Sequence, residues 1–303
     1  MKDIFIVGSL NMDLVINAPF VPDNGVTITG KDFMMNPGGK GANQAAAIGK
    51  LGGICHMIGC VGQDFGENLI KILNSYNVNT EFVQLKQNIS SGIAVIIVVD
   101  GDNRIILDKG ANAFLDCELI DNALNIGKEG DFLVAQLEIE NDIVKYALLK
   151  AKQKGMITIL NPAPAKKLDD EIFSCCDYFI PNQSETEFYT GIYPDDETSA
   201  LSAINKLQAL GVSNIIITMG GKGVVYEEKG KIINVPAFKV NAIDTTAAGD
   251  TFVGAFVSEL SNNKSIGDAI LFANQAAAIT VTRKGAQQSI PTRMEVVKKY
   301  QKE

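Results

Sequence analysis

Short β-branched runs alternate with helix-length segments along most of this 303-residue chain, a rhythm that calls for a parallel α/β sheet with helices on both faces. Strand-like runs lie at Ile4–Val7, Phe132–Ala135, Ile157–Leu160, Tyr178–Ile180 and Asn214–Thr218. Helical segments lie at Ala42–Leu51, Glu67–Tyr76, Asp142–Lys154, Ser199–Leu210, Thr251–Leu260 and Ile266–Thr282. Two stretches break the rhythm. Leu14–Phe33 holds strand-like pieces, Leu14–Asn17 and Val26–Thr29, around Pro19, Pro22 and Gly25. Ser91–Asp108 reads as a hairpin, Ile93–Val99 and Arg104–Leu107, about a turn at Asp100–Asn103. These pieces have no helices to cover both faces, so they predict a small extra sheet assembled from separate parts of the chain.

Composition then narrows the function. With 46% hydrophobic and 20% charged residues the chain can bury a full core, which excludes chain-wide disorder. The balance of 27 basic against 35 acidic residues gives a net charge of −8, and nucleic acid or an anionic membrane would demand a basic face. No apolar run approaches the roughly 18 residues that span a bilayer, and the N-terminus lacks the apolar stretch of a secretory signal. The five cysteines show no C-x-x-C spacing, so neither a disulfide framework nor a structural zinc site is expected, and a reducing cytoplasm fits. His56 is the single histidine. A His-centred triad would have to be built on it alone, so general-base chemistry falls to a carboxylate. His56 beside Cys55, the pair Cys175-Cys176 and the run Arg293–Lys299 read as packed or solvated residues.

Ligands in doubly wound sheets sit beyond the carboxyl ends of the strands. Four predicted strands are followed by polar groups there: Gly8–Asp13, Gln136-Leu137-Glu138, Pro181–Glu185 and Met219–Gly223. Any one acid in such a place reads as a helix cap; four together point to a site. Two glycine-rich segments add to this. Asn36–Gln44 leads into an Ala-rich helix and is not a Walker A loop, since no Gly-Lys pair precedes Ser or Thr. It reads as a flexible turn or as a close backbone approach to a ligand. Asp244–Gly254 opens a helix on the small residues Ala247, Ala248 and Gly249, whose free N–H groups suit a transferring phosphate. Asp250, in its first turn, is either a capping carboxylate or the base that accepts a proton from an attacking hydroxyl.

With these motifs the chain resembles the ribokinase-like (PfkB-type) sugar kinases over nearly its whole length. The carrying strings are Asn11-Met12-Asp13, Gly38–Gln44, Gln136-Leu137-Glu138, Asn161–Ala165, Asn182-x-x-Glu185, Thr218–Gly223, Asp244–Gly254 and Thr282–Gln287. The resemblance implies a three-layer sandwich with a mostly parallel sheet and a small discontinuous β-sheet lid. Residues 1–13, 34–90 and 109–303 would form the kinase domain, and residues 14–33 and 91–108 the lid. Asp250 matches the family's catalytic base, and Ala247, Ala248 and Gly249 match its anion hole. Asn11, Asp13, Gly39, Lys40, Asn43 and Glu138 match its sugar-binding positions. Asn182 and Glu185 match the motif that organises Mg²⁺ and the ATP phosphates. Thr218, Gly220, Gly221, Lys222 and Gly223 match the loop along the nucleotide, with the Lys222 side chain as an added cation, and Asn274 falls on the adenine side. Asp244, Thr246, Thr280, Arg283, Gly285 and Ser289 match a loop for a monovalent cation such as K⁺, held largely by backbone carbonyls.

The expected reaction is ATP-dependent phosphorylation of D-ribose at its 5-hydroxyl, in a homodimer paired through the lid. There are departures from the family pattern. Asn24-Gly25-Val26 stands where a Gly-Glu pair is usual, Asn274 replaces a histidine found in some members, and Met12 replaces a smaller alanine. A nucleoside kinase would put more apolar residues in the lid than Asn17–Phe33 offers. Fructokinase and 2-deoxyribose kinase are nearer rivals, though a deoxy sugar would leave Asn11 and Glu138 short of a hydroxyl partner. A ribose-binding transport protein would need no base at a helix N-terminus. A dinucleotide-dependent oxidoreductase would want G-x-G-x-x-G after the first strand, and Gly8-Ser9-Leu10-Asn11 is not that.

Overall fold

The computed structural model describes residues 1–300. Its strands are β1 (Asp3–Val7), β2 (Asn11–Asn17), β3 (Lys31–Gly38), β4 (Ile54–Gly62), β5 (Val78–Asn79), β6 (Val83–Lys86), β7 (Gly92–Val99), β8 (Asp102–Asp108), β9 (Phe132–Ala135), β10 (Ile157–Leu160), β11 (Tyr178–Phe179), β12 (Asn214–Thr218), β13 (Val224–Glu228) and β14 (Lys231–Val235). Its helices are α1 (Lys40–Lys50), α2 (Gly66–Ser75), α3 (Cys117–Leu124), α4 (Asn141–Gln153), α5 (Asp170–Ser174), α6 (Gln183–Thr190), α7 (Glu197–Ala209), α8 (Ala248–Ser261), α9 (Ile266–Thr280) and α10 (Arg293–Tyr300).

The main sheet has ten strands. Its path is β14-β13-β12-β11-β10-β9-β1-β4-β5, with β6 beside β4. All pairings from β12 to β5 are parallel, and only the two pairings of β13, with β12 and with β14, are antiparallel. Alternation of side chains divides the core into two layers. Ile4 and Ile6 of β1 pack on one face with α1, α8 and α9, while Phe5 and Val7 pack on the other with α3, α4 and α7. Strand order reverses between β1, which leads outward to β4, and β9, which leads the other way. That reversal opens a crevice at the strands' carboxyl ends.

The second sheet has four strands in the order β3-β2-β7-β8. It contains two hairpins joined by the parallel pair β2–β7. The β7–β8 turn is tighter than the sequence suggests. Asp100 and Gly101 take φ of 53° and 87°, a two-residue turn that leaves Asp102 and Asn103 in the strand. The expected strand at Val26–Thr29 does not form; that stretch is irregular and the strand begins at Lys31. One face of this sheet is apolar and uncovered: Phe33, Met35 and Ile106 are each more than half exposed and alternate onto the same side of their strands. His56 is buried and stacked on Phe5 at 4.8 Å, and Cys175 and Cys176 are buried as expected.

Candidate active site

The groups that follow β1 and β9 meet across the crevice. Glu138 Oε2 accepts from Ser9 Oγ at 2.6 Å, from the Lys40 backbone N–H at 3.0 Å and from Asn11 Nδ2 at 3.5 Å. The Asn11 amide has a fixed direction. Its Oδ1 accepts from Asn112 Nδ2 at 2.8 Å, and Asn112 in turn holds Leu10 by both its N–H (2.9 Å) and its carbonyl (3.2 Å). Asn11 therefore offers its NH₂ to the crevice. Asp13 faces Gly38, where a Cβ would lie 2.3 Å from its carboxylate. Burial first, then the charges of Glu138 and Asp250, push the Asp13 carboxyl up to about 7.

Helix α1 starts against this wall. Gly39 takes φ of 88° as its N-cap, and a Cβ on Gly41 would meet Gly8 C and Ser9 N at 2.7 Å. Only glycine allows the approach that presents Lys40, Asn43 and Gln44. Helix α8 packs on α1 through Gly254, where a Cβ would lie 2.6 Å from Ala47. This contact sets the start of α8 opposite Asn43 and Gln44. Its N-cap, Ala247, has the left-handed φ of 59° and no side-chain cap, and nothing lies within 4 Å of a Cβ built on Gly249. Asp250 is only 6% exposed. Asn43 Nδ2 donates to its Oδ2 at 3.0 Å, and Gln44 Nε2 to its Oδ1 at 3.1 Å. A cavity of about 210 Å³ opens here, lined by Lys40, Glu185, Ala247, Ala248, Gly249 and Asp250 among others. Burial works to lower the Lys40 ammonium, but the carboxylates of Asp250, Glu138 and Glu185 outweigh it and hold it above the usual lysine value.

A second hollow of about 590 Å³ continues from the first past Thr218, Ala248 and Gly249. Its walls are mostly glycine and apolar side chains, Gly220, Gly221, Gly223 and Phe238 among them, with Asn274 and Lys239 as polar members. Lys222 does not line it: its ammonium pairs with exposed Asp195, because the turn at Gly220–Lys222 directs that side chain outward. Asn182 and Glu185 form a reciprocal capping box at the start of α6, with both bonds at 2.8 Å. Glu185 still borders the smaller cavity, and burial chiefly raises its carboxyl. A third hollow, about 520 Å³, lies between the small sheet and the 242–246 segment, and Asp13, Asn36 and Asp244 line it. Thr245 borders all three.

Beside α8, Asp244 ties two segments together, accepting from the N–H groups of Thr246 and Gly285, each at 2.9 Å. Burial would raise its carboxyl, but these bonds and Lys284 outweigh it and lower it. Thr280 turns its hydroxyl inward to Thr251 (3.1 Å), Arg283 reaches out to Glu295 (2.6 Å) and Ser289 Oγ bonds Ala286 O (2.7 Å). Those three side chains are thus engaged elsewhere, and any part they take in a cation site is through their main chain.

The family model for pfkB carbohydrate kinases matches residues 1–293. The chain is a pfkB-family carbohydrate kinase. It is 40% identical to the ribokinase of Haemophilus influenzae over 298 residues, covering 98% of this chain and 97% of that one. It is 39% identical to a Salmonella typhi deoxyribokinase over 293 residues, 96% of each. A solved structure of Arabidopsis thaliana ribokinase complexed with ribose and ATP aligns with a TM-score of 0.91 at 30% identity, covering 98% of each chain. The ribokinase-like fold, a mostly parallel sheet with a separate small sheet, agrees with the expectation from sequence.

Among the residues of this kinase that line or brace the crevice, sequence reasoning did not single out Ser9, Gln44, Asn112, Gln136 or Asn161. Ser9, Gln44 and Gln136 lay inside segments already marked as polar or glycine-rich, and Asn161 headed one of the resembling strings. Asn112 carried no local signal at all, since its partners are about 100 residues away.

Proposed function

We propose that this kinase transfers the γ-phosphoryl group of ATP to the 5-hydroxyl of D-ribose, giving ribose 5-phosphate and ADP. The observation that carries the reading is the placement of the buried Asp250 carboxylate at an open helix end. It stands between a polar crevice fit for a sugar and an apolar hollow fit for a nucleoside. In this reading Asn11, Asp13, Lys40, Asn43 and Glu138 bind the sugar, with Gly39 allowing the close approach. The hollow beside Gly220, Gly221, Gly223 and Asn274 takes the base and ribose of ATP, and Thr218 the phosphate side.

The attacking hydroxyl meets the γ-phosphorus in line. Its oxygen forms the new P–O bond, its proton passes to Asp250, and the bond from the γ-phosphorus to the bridging oxygen breaks with its electron pair leaving on ADP. The Gly249 N–H faces the developing charge on the transferring oxygens, since no side chain caps this helix, and the Ala248 N–H, which donates to Thr245 O at 3.2 Å, can turn to them only by giving up that bond. Ala247 holds the entry to that turn. The Lys40 ammonium, held charged, offsets negative charge across the cavity.

Among the described residues, no three His, Cys, Asp or Glu side chains gather as a metal cluster. That fits a Mg²⁺ held chiefly by the nucleotide phosphates and water, with Glu185 at the cavity wall and Asn182 beside it as the protein's contribution. Such an ion neutralises phosphate charge. The Asp244 loop, with Thr246, Thr280, Arg283, Gly285 and Ser289, is the candidate K⁺ site, where the Asp244 carboxylate and main-chain carbonyls would be the oxygen ligands. The small sheet serves as a lid, residues 14–33 and 91–108 on the kinase domain, and its uncovered apolar face fits a second copy of the chain.

Ribose is favoured over 2-deoxyribose because Asn11 can only donate and Glu138 accepts, a pair matched to a hydroxyl. The test is ADP release from purified protein with MgATP and K⁺ against ribose, 2-deoxyribose, fructose and adenosine. Ribose should give the highest kcat/KM. A clear preference for any other acceptor overturns the assignment.

A further inference from the structure

Asp250 is held from behind by a chain of amides that no part of the proposed reaction has yet used. Gln44 and Gln136 are 0% and 1% exposed. Gln44 Nε2 donates both to Asp250 Oδ1 and to Asn161 Oδ1, each at 3.1 Å, and Gln44 Oε1 accepts from Gln136 Nε2 at 2.7 Å. The chain is anchored in the main sheet: Asn161 Nδ2 donates to Ile180 O at 2.8 Å, and Asn161 N to Ala135 O at 3.0 Å. Every bond has one possible sense. Turning the Gln44 amide over would set its oxygen against the Asp250 carboxylate and against Asn161 Oδ1, and its NH₂ against that of Gln136.

The two oxygens of Asp250 therefore stand in different situations. Oδ1 is bound by a fully buried residue whose amide is also tied to Asn161 and Gln136. Oδ2 is bound by Asn43, whose own Oδ1 is buried without a partner among the described residues and which lies on the sugar side. We infer that Gln44 is the positioning residue of the base, fixing the carboxylate through Oδ1 so that Oδ2 receives the proton, and that Gln136 acts only by orienting Gln44. The inference rests on Asp250 being the base. Amide groups do not take up protons at ordinary pH, so a proton gained at Oδ2 has no exit through Gln44 and returns to the crevice side.

The experiment uses the full chain, measuring ADP release with MgATP, K⁺ and the best acceptor from the screen above. Gln44→Met should lower kcat about 10–100-fold, as loss of an outer hydrogen bond to a reacting group does, with KM for sugar and ATP within about twofold. That variant also takes the partner from the buried Gln136 NH₂ and the donor from Asn161 Oδ1, so its thermal midpoint falls. Gln44→Met/Gln136→Met removes the Gln136 orphan while Asn161 Oδ1 lacks its donor in both variants: the midpoint should rise above that of Gln44→Met while kcat stays low. Recovery of kcat along with the midpoint would mean Gln44 only supports the fold, and would overturn the inference.

Gln136→Met alone should cost about 3–10-fold in kcat, by analogy with the weaker couplings of residues acting through another, and it serves if Gln44→Met does not fold. A Gln136→Met enzyme with unchanged kcat would overturn the orienting role. Asp250→Asn separates the two readings. Near-normal turnover there defeats the base assignment itself. An inactive Asp250→Asn beside a fully active Gln44→Met leaves the base in place and defeats the positioning claim.

Discussion

Helices α1 and α8 both begin at the crevice without a side-chain cap, yet they begin in opposite ways. The start of α1 is filled: Gly39 and Gly41 exist so that the backbone of Gly8–Asn11 can touch them at 2.7–2.9 Å from where a Cβ would stand. What this end offers to a ligand is therefore side chains, Lys40 and Asn43. The start of α8 is open, with free space over Gly249, and what it offers is main-chain N–H groups. One pattern of small residues before a helix thus serves two ends. In α1 it buys contact with protein, and in α8 room for something that is not protein.

Four measurements probe this contrast, beginning with the largest expected effect. Asp250→Ala should lower kcat about 10²–10⁴-fold with nucleotide affinity kept, read by ADP release and by nucleotide titration. Next comes the paired substitution of the two glycines. Gly249→Ala should leave the thermal midpoint nearly unchanged and cut kcat about 10–100-fold by crowding the anion site. Gly41→Ala should instead destabilise by about 1–3 kcal/mol in denaturant titration, because backbone must move. Equal loss of stability in both would erase the distinction. Replacing K⁺ by Na⁺ should slow turnover several-fold, since the Asp244 loop abuts the open end through Thr245 and Thr246; an indifferent rate would separate that loop from α8.

The smallest effect concerns Asp13, beside the filled end. Its carboxyl sits at about 7, against an ordinary 3.8. A raised value favours the protonated folded state, so this residue's stabilising share is complete below pH 4 and disappears as pH rises through 7. Asp13→Asn should match the wild type near pH 4 and melt a few degrees higher at pH 8. A gap that does not open between those values would refute the burial argument.

Much of the fold was legible because it depends on local pattern. The edges of α4 and α7 and of β9, β10 and β12 fall within two residues of the periodic segments, where β-branched runs and amphipathic spacing coincide. Strand β4 was not legible: Ile54–Gly62 mixes Cys, His, Met and Gly, and it is a strand because β1 and β6 flank it. Val26–Thr29 looked like a strand but finds no partner. Within the site, Asp250 and the glycine loops were visible as motifs. The bonds of Gln44 to Asp250 and of Asn112 to Asn11 link residues 206 and 101 positions apart, and no local pattern records such a distance. Lys222 was misplaced because its neighbours are glycines that line the hollow while its own side chain turns toward Asp195.

The parallel pair β2–β7 joins hairpins that lie more than fifty residues apart. A lone two-stranded hairpin is marginal in water, so neither half of the small sheet gains much by forming first. That makes this sheet a late arrival in folding, slowed by its non-local pairing, and the unit most readily released as a whole from an otherwise intact molecule.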